Sequence, residues 1–312
     1  MKKLCLVKFS ALGDLAQIEP FLPSLAQTFH ITFLTSAVGY EYYKDSPYIE
    51  HFIVLKSKKI KHLLETIPKY SAQFDYFVDL QGNDRSKFLS LFSFAKRIGN
   101  YTNAFKHTPI PESLKPYILE QSVYHIDLLS ILSQLPVTFE FKPFEQKQRS
   151  YIVLNCGSSP KWISKRLPIH KWQKMAHLLY ETFHLPFVLT GEKAEVAYIE
   201  TIANAIAYPS EIYAGKTTLL ELKALLANAF LTVSTDSASL HISSVQKTPS
   251  IGLFGPTSWI YAKPFGPWSE AIYDQEFYKE GKPPAKNRQE VEAYFESIDI
   301  KPALKKLEPY LR

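Results

Sequence analysis

The sequence predicts an α/β chain of two tandem doubly wound domains, and three observations predict it. Short apolar, β-rich runs alternate with helix-length amphipathic stretches, the pattern of βαβ units on a parallel sheet. The alternation stops at residues 136–150, which carry charge and a proline, and restarts at 151. A length of 312 residues suits two domains better than one.

In the first domain, 1–145, strands are expected at 4–9, 31–36, 51–56 and 76–80. Helices are expected at 18–28, at 59–71 with Leu63, Leu64 and Ile67 on one face, and at 85–95. The second domain, 146–312, repeats the pattern with strands at 151–156, 187–191, 211–215, 230–235 and 250–255. Its helices fall at 169–183, 192–207, 217–228 and 237–246, and C-terminal helices follow, broken near Pro302. In such folds ligands bind at the C-terminal ends of the strands.

Composition narrows the function only by exclusion. Hydrophobic residues at 46% and charged residues at 21% are those of a globular protein. A net charge of +6 suits an anionic substrate, nucleic acid or an acidic membrane surface without choosing among them. No nucleic-acid motif accompanies it, so nucleic acid is not expected as a partner. Cys5 and Cys156 have no neighbouring cysteine, which argues against a structural metal and for buried thiols in a reducing compartment. The first apolar run is broken by Lys8, Ser10 and Asp14, unlike a signal peptide, and no run is long enough to span a bilayer. A cytoplasmic protein is expected, with any membrane contact peripheral.

Several strand ends carry the residues of a phosphate pocket. In Thr232–His241 a strand ends in small hydroxyl residues and a helix begins. The free N–H groups and positive dipole end of that helix make an anion site, with Thr235, Ser237 and Ser239 as hydroxyl donors around it. The competing reading makes Asp236 or Ser237 a plain N-cap. The next strand ends in a Gly-Pro-Thr turn that brings up Thr257. After the strand ending Asn155-Cys156-Gly157-Ser158 comes a basic loop in which Lys165 and Arg166 can neutralise a diphosphate leaving group, or form a solvated loop with Trp162 as packing. Gly215-Lys216-Thr217 resembles the end of a P-loop, but Ser210 stands where the first glycine belongs. Neither half has a Gly-x-Gly-x-x-Gly after its first strand, which removes support for an NAD-dependent dehydrogenase.

In the first half, Ser10 to Asp14 follows the first strand. Gly13 permits a sharp turn, and Asp14 is placed either to take a proton from an acceptor hydroxyl or to cap a helix whose first turn is set by Pro20. Asp79, Gln81 and Arg85 follow another strand and can line the acceptor side. Lys56, Lys58, Lys59 and Lys61 form a solvated face or meet anionic lipid or a phosphorylated acceptor.

Taken in order, "SALGDLAQIEP" (10–20), "DLQGNDRS" (79–86), "RIGN" (97–100), "LNCGSSPKWISKRLPIHKW" (154–172), "LTGEKAE" (189–195), "AGKTTLLELKALLANA" (214–229) and "STDSASLHISSVQKTPSIGLFGPT" (234–257) resemble glycosyltransferase family 9, the ADP-heptose:lipopolysaccharide heptosyltransferases. The resemblance implies a GT-B fold, two Rossmann-like domains facing across a cleft, with the acceptor on 1–145 and the nucleotide-sugar on 146–312. It implies an inverting, single-displacement transfer of heptose from ADP-heptose to a hydroxyl of the lipopolysaccharide core, a glycolipid acceptor, with no metal or cofactor. Asp14 aligns with the proposed catalytic base and Lys165 with a lysine on the donor phosphates. Asp236, Ser237, Ala238 and His241 align with the family's Asp-Thr-Gly-x-x-His. Ser158, Arg166, Thr235 and Thr257 complete the expected donor side; Ser10, Gly13, Gln81 and Arg85 form the acceptor side. The enzyme is expected in the cytoplasm, at the inner face of the cytoplasmic membrane.

The sequence departs from the family in places. Asn155-Cys156-Gly157 replaces His-Pro-Gly, Ser237-Ala238 replaces Thr-Gly, Leu167 stands where a tryptophan is common, and Lys8 is near a missing arginine. These departures leave open another nucleotide-sugar, a protein acceptor, or a silent nucleotide-sugar-binding homologue.

Overall fold

The computed structural model describes residues 1–99, 109–118, 122–275, 278 and 292–312. Asn100, the last residue of the "RIGN" stretch, and the start of the predicted tail lie outside them. The chain forms two compact units: Met1–Glu120 with Tyr124–Lys142, and Gln121–Val123 with Pro143–Arg312.

The first unit runs β1 (Lys2–Lys8), α1 (Leu12–Ala16), α2 (Leu22–Ala26), β2 (Phe29–Ser36), α3 (Ala37–Tyr43), β3 (His51–Leu55), α4 (Ile60–Thr66), β4 (Tyr76–Asp79), α5 (Asp84–Ser90), β5 (Lys96–Gly99) and α6 (Val123–Leu132). Its sheet has the order β3-β2-β1-β4-β5, and every pairing is parallel. Leu4, Cys5, Leu6 and Val7 are wholly buried, as a central strand covered on both faces requires. Over one face lie Leu63 of α4 and Leu89 of α5, packed with Cys5, Val7, Leu34, Ile53, Tyr70 and Phe77.

The second unit runs β6 (Ile152–Asn155), α7 (Ile169–Phe183), β7 (Phe187–Leu189), α8 (Val196–Ile206), β8 (Ser210–Ile212), α9 (Leu219–Ala227), β9 (Leu231–Thr235), α10 (Ala238–Val245), β10 (Ser250–Phe254), β11 (Ser269–Tyr273) and α11 (Lys301–Leu307). Its sheet, β11-β10-β9-β6-β7-β8, is also all parallel. Helix α7 buries Trp172, Met175, Ala176 and Leu179, one stripe at helical spacing, against Ile152, Leu154 and Phe187. Helix α11 closes on the same core through Ala303 and Leu307.

Several elements differ from the sequence expectation, each for a local reason. The helix expected at 18–28 starts earlier, at Leu12, and divides into α1, a short 3-10 turn at Glu19–Phe21 and α2. Pro20 and Pro23 lack the N–H groups that a continuous helix would use. Pro68 likewise ends α4 in a 3-10 turn, Ile67–Lys69. Pro302 does not break a tail helix but sits in the first turn of α11, where its missing N–H costs nothing. Strands β5 and β11 and helices α3 and α6 are additions. The Gly-Lys-Thr run is a turn: Gly215 has φ +69°, and Thr218 then N-caps α9 in a capping box with Glu221. No helix among the described residues is long and apolar enough to cross a membrane.

Each sheet has one point where strand order reverses, between β1 and β4 in the first unit and between β6 and β9 in the second. Connections leave such a point in opposite directions, so a crevice opens at the strand C-termini there. The loops after β1, β4, β6 and β9 carry most of the residues singled out by sequence, and Thr257 follows β10, the neighbour of β9.

Candidate active site

In the second unit, the loop after β6 and the start of α10 meet over the reversal point. Lys165, at the end of the 3-10 segment Pro160–Lys165, donates from Nζ to Asp236 Oδ2 at 2.8 Å and to the Asp236 carbonyl at 3.1 Å. Its ammonium lies 5.1 Å from the centre of the Trp162 ring. On the other carboxylate oxygen, His241 Nε2 stands 3.8 Å from Asp236 Oδ1, an electrostatic contact longer than a hydrogen bond. Burial, the largest single influence on Asp236, pushes its carboxyl up; His241 and Lys165 together outweigh burial and hold it well below the usual carboxylate range. The three residues thus form a resident ion cluster with cationic and imidazole groups around one carboxylate.

Ser237 occupies the N-cap position of α10 yet makes no capping hydrogen bond. Its hydroxyl is engaged elsewhere. Asn155, at the end of β6, donates from Nδ2 to Ser237 Oγ at 2.9 Å, and accepts at Oδ1 from Thr190 Oγ1 at 3.0 Å and Ser239 Oγ at 3.1 Å. Ser234 Oγ donates to the Thr235 carbonyl at 2.7 Å, so the proton in its 3.0 Å contact with Ser237 comes from Ser237. Thr235 Oγ1 donates to the Gly157 carbonyl at 2.7 Å. The three hydroxyls expected to meet an anion are therefore occupied within the protein. What the helix start offers is a first turn without a side-chain cap, whose backbone N–H groups and dipole are suited to an anion. The plain N-cap reading of Ser237 does not describe this geometry.

The other expected donor residues divide. Ser158 Oγ donates to the Trp162 carbonyl at 2.7 Å, and Arg166 donates to the Ser158 carbonyl at 2.8 Å while lying 4.5 Å from the Tyr198 ring centre. Both shape the loop that presents Lys165. Ala238 is the first residue of α10 and half-buried. Thr257 Oγ1 and His241 Nδ1 are buried and have no partner among the described residues. Both could receive a polar ligand without losing a bond.

In the first unit, Asp14 lies in the first turn of α1, with its side chain 40% exposed. One oxygen faces Lys8 Nζ at 3.3 Å and accepts from the Ala11 N–H at 3.3 Å. Capping and availability to solvent coexist in this carboxylate. Lys8 is buried, donates to the Leu80 carbonyl at 3.1 Å and lies 5.4 Å from the Tyr124 ring centre. Burial lowers the Lys8 ammonium from its ordinary value, partly countered by Asp14 and then Asp79. Tyr124 donates to the Asp14 carbonyl at 3.1 Å.

Gln81 positions this loop. Its Oε1 accepts from the N–H groups of Phe9 at 2.8 Å and Ser10 at 3.0 Å. Asp79 Oδ1 in turn accepts from Gln81 and Gly82, both at 2.9 Å, where Gly82 adopts φ +64°. Asp79 thus fixes the Gln81 turn, and Gln81 fixes the turn that presents Asp14. Gly13 is buried in α1, whereas Arg85 is exposed on α5. Two contributors escaped the sequence reading. Nothing local marks Tyr124, and Asn155 registered only as a departure from a family pattern; a buried amide at a strand end beside a hydroxyl-rich helix start was the available signal.

Comparisons with known proteins bear on the family and the fold. Residues 121–292 match the model of glycosyltransferase family 9 (heptosyltransferase). The chain is 23% identical to the lipopolysaccharide core heptosyltransferase OpsX of Haemophilus influenzae, across 90% of this chain and 88% of that protein. Among solved structures, a family 9 glycosyl transferase from Veillonella parvula superposes with a TM-score of 0.74 at 19% identity, covering 99% of this chain and 97% of that one. Escherichia coli heptosyltransferase WaaC with ADP gives 0.69 at 16% identity, covering 99% of each chain. These likenesses show the GT-B fold, two parallel-sheet α/β domains. The chain belongs to glycosyltransferase family 9, the heptosyltransferase family, and is a glycosyltransferase.

Proposed function

We propose that this enzyme transfers heptose from ADP-heptose to a hydroxyl of a lipopolysaccharide core acceptor, by inverting displacement and without a metal. The observation that carries the reading is the uncapped start of α10 beside the Lys165–Asp236–His241 cluster. An uncapped helix start next to a lysine is suited to a diphosphate, whose negative charge grows as the sugar departs. The donor side is assigned to 146–312. Lys165 exchanges part of its contact with Asp236 for the diphosphate, and the α10 amides take its oxygens. Asp14, assigned with the acceptor side in 1–145, takes the proton of the attacking hydroxyl. Its partial exposure leaves the carboxylate reachable, and Lys8 Nζ stands 3.3 Å from it. That H. influenzae OpsX is a lipopolysaccharide core heptosyltransferase and WaaC was solved with ADP supports the choice of substrates. A glycolipid acceptor implies work at the cytoplasmic face of the membrane, with peripheral contact.

Calorimetric titration with ADP, UDP, GDP and CDP, in chelator, tests the donor half. Selective ADP binding, weakened about tenfold or more in Lys165→Ala, is expected for loss of a charge-assisted phosphate contact. Preference for another nucleotide refutes the ADP assignment, and undiminished affinity in Lys165→Ala refutes the role of the lysine. Transfer from ADP-heptose in chelator to the purified acceptor tests the reaction itself.

A further inference from the structure

We propose that the corner of the first unit formed by the start of α4 and its lysine-rich approach is the surface that docks on an anionic lipid bilayer. The inference rests on the reading above only for the expectation that a membrane is nearby; the surface itself is argued from exposure and charge.

Among the described residues, eight large apolar side chains are exposed: Met1, Val38, Tyr40, Ile60, Leu64, Leu91, Phe94 and Tyr261. All but Tyr261 belong to the first unit. Ile60 and Leu64, 67% and 50% exposed, are four residues apart on α4 and therefore share one helix face. On the adjacent, inward side of the same helix Leu63 and Thr66 are buried, Leu63 in the core, so α4 is anchored inward while Ile60 and Leu64 remain exposed along its outer flank. A helix with a basic approach and an outward apolar stripe has the pattern of an interfacial element.

Charge at this corner is equally lopsided. Residues 56–69 contain Lys56, Lys58, Lys59, Lys61 and Lys69 against a single acid, Glu65. Glu65 lies 3.7 Å from Lys56, which leaves Lys58, Lys59 and Lys61 flanking Ile60 in sequence on an exposed stretch. A solvated lysine face has no reason to carry two exposed aliphatic side chains at its centre, and an apolar protein contact has no use for three flanking ammonium groups. An anionic bilayer satisfies both: headgroups take the lysines, and Ile60 and Leu64 enter the acyl boundary.

The placement within the unit is consistent with a lipid-borne substrate. Helix α4 follows the C-terminal end of β3, the edge strand, and Asp14 follows the C-terminal end of β1 in the same parallel sheet. Both therefore lie at one end of the sheet. Ser36 pairs with Leu55, so α3, which carries the exposed Val38, and the lysine approach leave neighbouring strands at the same end of the sheet.

Co-sedimentation of the whole chain with phosphatidylcholine vesicles, with and without phosphatidylglycerol, tests the surface. Binding is expected only with phosphatidylglycerol and is expected to weaken with salt. Neutralising Lys58, Lys59 and Lys61 to Gln should weaken it by about fivefold per lysine. Ile60→Asp with Leu64→Asp should weaken it by about tenfold or more, because both side chains leave the acyl boundary. Leu91→Asp with Phe94→Asp, which alters exposed apolar groups elsewhere in the unit, should leave binding within about twofold. Failure of the wild-type chain to bind anionic vesicles overturns the proposal. So does binding indifferent to the Ile60 and Leu64 changes, which would reduce the corner to a generic charge patch. Nucleotide titration of the same variants, expected unchanged, keeps this outcome separate from the donor reading: loss of ADP binding by the wild type would refute that reading and leave the vesicle result intact.

Discussion

Asn155 donates to Ser237 Oγ across 2.9 Å, from the end of one central strand of the second unit to the start of the helix that follows its neighbour. That bond, with the proton that Ser237 gives to Ser234, keeps the N-cap hydroxyl from closing the first turn of α10. On the proposed donor reading, the amide keeps backbone N–H groups available to the diphosphate.

Asn155→Ala removes this bond and takes a partner from three hydroxyls, those of buried Thr190 and Ser239 and of half-buried Ser237. A loss of about 2–4 kcal/mol is expected for several unmade buried hydrogen bonds. Thermal unfolding followed by near-ultraviolet circular dichroism should show the midpoint falling. Calorimetry on the folded variant should show weaker nucleotide binding, because Ser237 becomes free to cap. An unchanged nucleotide affinity would separate the amide from the anion site and leave it a purely structural role.

A pH dependence follows from Asp236. Its carboxyl is held below the ordinary value in the folded chain, so the unfolded chain binds the proton first as pH falls. The contribution is complete above the usual aspartate value of about 3.9 and fades as pH drops below it toward the folded value. Asp236→Asn should therefore be clearly less stable than wild type at about pH 6, and the gap should narrow toward about pH 3. Urea midpoints across this range check the sign. A gap that widens on acidification would mean the Lys165 and His241 contacts do not act on this carboxylate as the distances indicate.

The alternation of strands and helices was legible because buried parallel strands read as apolar runs, as in Leu4–Val7, and amphipathic helices as stripes, as in Trp172, Met175 and Leu179. Helix α3 was not, because its sequence, AVGYEYY, favours a strand on propensity and becomes helical through tertiary context. The site was half legible. Lys165 and Asp236 stand out as charges in an ordered motif. The fate of the hydroxyls does not, because each partner is chosen by strand order: Thr235 bonds to Gly157, 78 residues away, and Asn155 to Ser237, 82 away. Gln81 was read as facing the acceptor, and no local signal reveals that its Oε1 is taken by Phe9 and Ser10.

Gln81→Ala frees those two amides and loosens the turn leading to Asp14. A stability loss of about 1–3 kcal/mol is expected for two part-buried backbone donors left without their acceptor. Turnover should fall while nucleotide affinity in the second unit stays the same. Gln81→Glu keeps an acceptor oxygen for both amides and should recover part of the stability. Equal losses in the two variants would place the effect of Gln81 in its Nε2 group instead.

Asp14→Asn tests the proposed base most cleanly. The carboxamide oxygen can still accept from the Ala11 N–H, so the start of α1 is kept. The ionic contact with Lys8 is lost; solvent screens the 40% exposed Asp14, but Lys8 is buried and loses part of its compensation, so a stability loss of about 1–3 kcal/mol is expected. Removing a general base should lower turnover by about 10²–10⁴-fold. Nucleotide affinity, measured by the same calorimetry used for Lys165→Ala, should be unchanged. A variant that retains near wild-type turnover with weakened nucleotide binding would reverse the assignment, making Asp14 part of donor recognition and leaving the acceptor proton to another group.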